Sequence, residues 1–348
     1  MSLSFAMIDT TVTRLLERAD LASAQALLAE GAFPDDIWRS VLEAGLPLLL
    51  CPAESGGIGG SMEDAAEVAR LSGGGGLPAP VVETMIGNWL LGLAGQEPGE
   101  RPVAPLIDAA TPLPTRADLE ARKAARWQAI PWARHADLLI IAAGAGGLCV
   151  GLVPAGKCVP CTDSNLADEP RDMVDLSSLD PSSIVWHGLP GEITRDAILS
   201  RMALLRAALM TGAMEHALQM SIEYTAQRNQ FGRPLAAFQA IQHALAVLAT
   251  QVAATRSAVM VAAAEPDSDR AVFLAAVAKA RAGDAAGIAA AAAHQVHGAM
   301  GFTQEYGLGL ATKRLWSWRS EDGSETYWCE WLGQRAREAG DLWKVIAA

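Results

Sequence analysis

A mainly α-helical chain with a small central β domain is the fold class that three observations predict. Apolar residues recur at helical spacing through both ends of the chain, alanine is abundant while aromatic residues make up only 5%, and between about Pro102 and Gly191 the pattern changes to proline-rich turns and strand-sized runs. Alanine has the best helix propensity and lets backbones approach closely, so an alanine-rich, aromatic-poor chain favours close-packed helices. With 348 residues there is room for two or three domains with filled cores. The expected boundaries are 1–100 for an N-terminal helical domain, 101–192 for a reduced β domain and 193–348 for a C-terminal helical bundle.

From Asp9 to about Gly95 the reading is helical with two glycine-rich breaks, Gly56 to Gly60 and Gly73 to Gly76. Ser61 suits a helix N-cap, and Asp64 three residues on supplies a near capping box. The first glycine loop is followed by no Lys-Ser or Lys-Thr, so turn geometry explains it better than a phosphate cradle. In the middle region Leu138 to Ile141 and Leu148 to Val153 are strand-sized, glycine-bounded segments. Cys158 and Cys161 form a single C-x-x-C without a second pair, which is too few ligands for a zinc site. Five cysteines in a chain of this size do not form a disulfide framework.

The C-terminal region carries the strongest helical pattern. Phe238, Ile241, Leu245, Leu248 and Val252 make one apolar stripe, and Ile198, Met202, Leu205, Leu209 and Met220 make another. Ala271 to Ala293 is nearly polyalanine, and Gly283 and Gly287 lie four residues apart on one face, which permits very close helix contact. Four such helices make an antiparallel bundle.

Within this region Arg228-Asn229-Gln230-Phe231-Gly232-Arg233-Pro234-Leu235 is followed by Phe238-Gln239-Ala240-Ile241-Gln242. Pro234 suits the first turn of a helix, which would open just after the arginines and place its positive end beside Arg228 and Arg233. That combination suits an anion such as pyrophosphate. The net charge of −12 argues against nucleic acid or an anionic membrane surface as the main partner, so local arginines would have to hold any phosphate. No uninterrupted apolar stretch of spanning length and no basic-then-apolar N-terminus is found, and a soluble, cytoplasmic protein is expected. Gln295 to Thr303 follows the alanine run, with glycines that stop a helix and let a backbone approach a ligand. His294 and His297 lie three residues apart, but no acidic third ligand is near, and capping or packing roles are expected rather than a metal.

Taken together, these segments resemble the acyl-CoA dehydrogenase family. The arginine window resembles its "R-x-x-F-G-x-P-L-x-x-F-Q-x-x-Q" segment, which reaches the FAD pyrophosphate across a subunit interface. Gln295 to Phe302 resembles its "Q-x-x-G-G-x-G-F" partner motif, which meets the adenine half of FAD. Gly45 to Gly60 resembles the N-terminal "GL-x-x-x-x-x-P-E-x-x-GG-x-G" turn with Ala53 before Glu54, and Ile130 to Asp137 resembles the "V-x-x-A-x-x-AD" lead-in of the middle domain. The family's "T-E-P-x-A-G-S-D" flavin loop is not found there, which implies a trimmed β domain with fewer flavin contacts. The resemblance implies FAD, bound through Arg228, Gln230, Phe231, Phe238, Gln239, Gln295, His297, Gly298, Ala299, Ser324 and Thr326.

In that family a "Y-E-G-T" segment carries the glutamate that removes the α-proton of an acyl-CoA. A gap-free count from Gly301 places Asp322-Gly323-Ser324 on Glu-Gly-Thr, which makes Asp322 the expected base and Gly323 a substrate contact. Aspartate is one methylene shorter, and a misplacement of that size costs on the order of 10² in rate. Glu321 and Glu325 are alternatives if the register shifts. The base can also be lost altogether, because Trp316-Ser317-Trp318-Arg319 more resembles short family members that serve as the second subunit of heterotetramers. The resemblance therefore implies an FAD-dependent acyl-CoA dehydrogenase delivering electrons to an electron-transfer flavoprotein, or a non-catalytic, FAD-contacting subunit of a heteromeric one. Assembly would be a homodimer or homotetramer, or a heterotetramer with a sister chain, through the last bundle. A weaker reading keeps the fold with a flavin-dependent oxygenase or acyl-CoA-binding role.

Overall fold

The computed structural model describes residues 5–123, 125–303 and 306–340, so the last eight residues of the expected C-terminal domain lie outside the described residues. The chain divides into two compact units, Met1–Ala69 with Leu77–Met202, and Arg70–Gly76 with Ala203–Ala348. The elements follow in chain order: α1 (Phe5–Arg18), α2 (Leu21–Ala29), α3 (Asp35–Glu43), α4 (Met62–Gly75), α5 (Val81–Leu93), β1 (Val103–Leu106), α6 (Arg116–Glu120), β2 (Arg126–Pro131), β3 (Asp137–Gly144), β4 (Gly147–Val153), β5 (Arg171–Asp175) and β6 (Trp186–Gly188). Then come α7 (Arg195–Gln227), β7 (Asn229–Gln230), β8 (Arg233–Pro234), α8 (Gln239–Ala264), α9 (Asp269–His297), α10 (Leu308–Trp318) and α11 (Glu325–Ala339). This is the expected fold class, mainly helical with a small β portion.

In the first unit, α5 is buried from Val81 through Gly92 and lies against β1, where the Val103 side chain fills the space that a Cβ on Gly87 would need. The four-stranded sheet runs β1-β3-β4-β6, parallel only between β1 and β3, and β2 pairs separately with β5. The two strands expected from the sequence are β3 and β4, and they form a hairpin that pairs Leu138 with Val153 and Gly144 with Gly147. Trp127, Ile130, Leu138, Ile140 and Val174 form the centre of this core. Before α4, Asp64 N–H donates to Ser61 Oγ at 3.1 Å and Ser61 N–H donates back to the Asp64 carboxylate at 2.9 Å, the reciprocal cap that the sequence predicts. The glycine loop ahead of it spends its donors internally: Ile58, Gly59 and Gly60 N–H bond the carbonyls of Leu48, Cys51 and Leu49. It is a turn, with no N–H left pointing at a phosphate from these three residues.

The second glycine tract differs from expectation. It does not break a helix, because α4 runs through Gly73 and Gly74 and stops at Gly76, whose φ is +70°. The reason is close packing: a Cβ on Gly73 would strike the Leu209 carbonyl, and one on Gly212 would strike the Arg70 carbonyl. Within the second unit the end of α4 and α7 therefore touch backbone to backbone. α9 packs along α8, α10 and α11, and its expected glycine face is used, since a Cβ on Gly283 would meet Glu325 at 3.0–3.1 Å. The α7 stripe is buried at Ile198, Met202, Leu205 and Leu209.

Two helices, α7 and α8, are long and apolar enough by length and composition to cross a membrane. The apolar window of α7 is 89% buried within the protein, whereas that of α8 is only 22% buried. The open face of α8 carries Ala246, Thr250, Ala253, Ser257, Met260 and Ala264, all exposed.

Candidate functional site

The arginine motif forms a projecting hairpin, not a helix start. Pro234 has extended backbone and pairs with Asn229, while Gln230 pairs with Arg233. Phe231 and Gly232 at the tip both have positive φ, +51° and +80°, as a tight hairpin that follows the strand twist requires. The helix α8 opens five residues after Pro234, at Gln239, with Phe238 as an N-cap that makes no side-chain cap bond. The predicted juxtaposition of both arginines with a helix N-terminus is thus corrected: pairing back on Asn229 and Gln230 holds Arg233 and Pro234 extended. Arg228, Gln230 and Gln239 are exposed, and Phe231 is 90% exposed. Phe238 organises the arm, with the Arg233 guanidinium 4.1 Å above its ring and Phe231 edge-on at 6.2 Å.

Tyr224 at the root of the arm links it to the second motif. Its ring stacks on His297 at 4.6 Å, and Tyr306 lies 5.1 Å from the same imidazole. His297 is buried; its Nδ1 faces the Ala293 carbonyl at 2.8 Å and so carries the proton, leaving Nε2 to accept from the Tyr306 hydroxyl at 3.1 Å. Burial pulls the His297 pKa below its ordinary value, opposed in part by the carbonyls of Ala293 and Met220. His297 thus anchors the end of α9, while Gln295, Gly298 and Ala299 around it are exposed. Gly298 has φ +57° and ψ −137°, a conformation open essentially to glycine alone, and it turns the chain out of α9. His294 bonds Thr312 at 2.9 Å and stacks on Phe302, so the two histidines serve different neighbours. Among the described residues no group of three or more His, Cys, Asp or Glu is placed to hold a metal.

The turn between α10 and α11 gathers the remaining expected residues. Asp322 and Gly323 both have positive φ, +54° and +92°, and a Cβ on Gly323 would lie 2.5 Å from Trp328 Nε1. The Asp322 carboxylate pairs with Arg206 Nε at 2.9 Å, with only 6% and 2% of the two side chains exposed. Glu321 approaches the same guanidinium at 3.4 Å, and Trp328 Nε1 donates to the Asp322 carbonyl at 3.0 Å. The Lys279 ammonium, fully buried on α9, donates to the carbonyls of Gly323 at 2.7 Å and Arg319 at 2.9 Å. Ser324 is the N-cap of α11, accepting from Tyr327 N–H at 3.2 Å, and Glu325 pairs with Arg319. Burial alone would raise the Glu325 pKa, but the bond from Arg319, its own backbone N–H and the charges of Arg319 and Lys279 hold it below its ordinary value. Thr326 opens onto a surface groove of about 390 Å³ shared with Cys329, Glu330 and Arg337.

Arg206, Lys279 and Tyr224 were not predicted as site residues. The available signal was a charge on a buried stripe: Arg206 falls four after Met202 and three before Leu209, and Lys279 four after Ala275 and three before Ala282.

A helical bundle, an exposed arginine hairpin and a glycine turn make up this region, and comparison with known proteins gives its class. Residues 4–103 match the model of the acyl-CoA dehydrogenase N-terminal domain, and residues 193–336 match that of the acyl-CoA dehydrogenase C-terminal domain. The chain belongs to the acyl-CoA dehydrogenase family. It is 28% identical over 310 residues to the acyl-CoA dehydrogenase IpdE2 of Mycobacterium tuberculosis, covering 88% of both chains. IpdE2 of Mycolicibacterium smegmatis is 28% identical over 323 residues, covering 88% of this chain and 91% of its own. Among solved structures, a variant of the Tcur3481-Tcur3483 steroid ACAD superposes with a TM-score of 0.83 at 21% identity, over 97% of this chain and 98% of that one. The ChsE4-ChsE5 complex from Mycobacterium tuberculosis gives 0.79 at 20% identity over 96% of each chain. At these identities the superpositions show a shared fold.

Proposed function

We propose that this chain is an FAD-contacting subunit of a heteromeric acyl-CoA dehydrogenase and that it does not supply the catalytic base. The observation that carries the reading is the buried pair of Asp322 with Arg206. To take a proton from a thioester α-carbon, Asp322 would have to leave a guanidinium that is itself 2% exposed. Stranding either buried charge costs about 3–5 kcal/mol, a large penalty to carry into every turnover. Glu321 shares the same guanidinium and Glu325 is tied to Arg319, so neither offers a freer carboxylate.

The cofactor side fits better. An exposed hairpin presenting Arg228 and Arg233 suits a pyrophosphate, and exposed Gln295 with the backbone of Gly298 and Ala299 suits an adenine. Gln230, Phe231, Phe238 and Gln239 extend that surface, and Ser324 and Thr326 would contact it from the α11 end. An FAD held by these residues would supply a hydride acceptor for the acyl-CoA β-carbon, and the α-proton would fall to a base on the sister chain. Electrons would pass to an electron-transfer flavoprotein. His297 would act indirectly, by holding Gly298 and the root of the arginine arm together.

Heteromeric assembly is supported by two surfaces that the chain leaves uncovered: the Phe231 tip and the small-residue face of α8. Neighbours of the same fold include a solved complex of two named chains, ChsE4 and ChsE5. The test is the visible absorption spectrum of the protein purified alone and after co-expression with another chain of the family. Flavin retained in the mixture and weakened by Arg228→Ala is expected. A protein that binds flavin alone and oxidises acyl-CoA alone would overturn the reading, and so would a colourless mixture.

A further inference from the structure

Lys279 is used by none of the chemistry above, yet it is a charged residue in the middle of an alanine helix with no exposed surface. Its two named bonds go to backbone carbonyls of the same short turn, at either end of residues 319–323. We propose that Lys279 is a positioning residue, which fixes the backbone of the α10–α11 turn and hence the presentation of Gly323, Ser324 and Thr326. The consequence for flavin contact rests on the function proposed above; the fixing of the turn does not.

Three features support this. The turn contains two successive residues of positive φ, Asp322 and Gly323, a conformation that aspartate adopts more readily than most non-glycine residues and that contacts here also impose. The imposing groups come from every side: Arg206 on α7 holds the Asp322 carboxylate, Trp328 on α11 holds its carbonyl, and Lys279 on α9 holds the carbonyls that flank it. A methionine of similar length would fill the same space without burying a charge but would leave the Arg319 and Gly323 carbonyls without this donor, so the cost of burying the ammonium is set against two hydrogen bonds. That cost is visible in titration: burial is the main influence that lowers the Lys279 pKa to about 8, with Arg206 adding to it and Asp322, Glu321 and Glu325 opposing it.

The experiment compares wild type with Lys279→Met and Lys279→Gln, the latter keeping one donor. In Lys279→Met the amides of residues 319–326 should exchange hydrogen roughly tenfold faster than in wild type, the size expected for losing one or two net hydrogen bonds. Lys279→Gln should fall between. Because the folded-state pKa of Lys279 is depressed, the native protein releases a proton that the unfolded chain still binds, and the stability of wild type relative to Lys279→Met should rise between about pH 8 and pH 10, a difference in which the opposing titrations of the buried cysteines and Tyr306 cancel. Wild-type exchange rates in Lys279→Met, or a stability difference between wild type and Lys279→Met that does not rise over that range, would overturn the proposal. Faster exchange with an unchanged flavin spectrum and turnover in the assembled complex would uphold the positioning role and remove the turn from the flavin site.

Discussion

The guanidinium of Arg206 and the carboxylate of Asp322 meet at 2.9 Å inside the helical bundle, and this contact decides what the α10–α11 turn can do. A carboxylate held this way serves the fold first. Replacing Arg206 alone by methionine strands Asp322, with Glu321 beside it, and should destabilise the protein by about 3–5 kcal/mol in denaturant unfolding. Replacing both, as Arg206→Gln with Asp322→Asn, should recover part of that loss, because the amide pair carries no charge and asparagine accepts the positive φ, although Glu321 still loses the guanidinium. A double variant as unstable as the single one would show that the pair is not the unit of stabilisation.

Acid sensitivity should come from buried histidines. Burial lowers the pKa of His135, where the Arg134 charge adds to it, and of His294, where the His297 ring adds to it; burial also lowers that of His297. Each folded-state value lies below the unfolded value, so the native protein stays neutral while the unfolded chain takes up protons. Their contribution is complete above about pH 6.5 and is lost as pH falls below it. The unfolding midpoint should therefore drop between about pH 7 and pH 5, and a flat profile over that range would contradict these burials.

Two glycine substitutions should separate close packing from propensity. In Gly212→Ala the new Cβ would collide with the Arg70 carbonyl, with Gly74 N only 2.6 Å away, and a loss of at least 1–3 kcal/mol, roughly, is expected. In Gly287→Ala the nearest atoms belong to Arg319 and Trp316 at 3.6 Å, ordinary contact, so the gain in helix propensity of about 0.5–1 kcal/mol should appear. Thermal unfolding of the two variants reads both signs.

The parts legible in the sequence were those that local physics dictates. Strand-sized runs with glycine bounds marked β3 and β4, the Ser61 and Asp64 cap marked the start of α4, and three-and-four spacing marked α7. What escaped was set by partners distant in the chain. The Gly73 to Gly76 tract reads as a break until Leu209 and Gly212 are placed against it, and Pro234 reads as a helix start until Asn229 pairs with it. Asp322 reads as a base by count from Gly301, because nothing near it in sequence reveals Arg206, 116 residues earlier. His297 reads as a cofactor contact for the same reason: Tyr224 and Tyr306, its ring neighbours, lie outside the motif.

The most direct test of the claim that this chain supplies no base is turnover of the co-expressed complex carrying the Arg206→Gln, Asp322→Asn double replacement, with flavin content measured alongside. The account predicts turnover per bound flavin within about threefold of wild type, since the carboxylate is removed and the fold kept. A fall on the order of 10²–10⁴ with flavin content unchanged, the size of a lost general base, would contradict it.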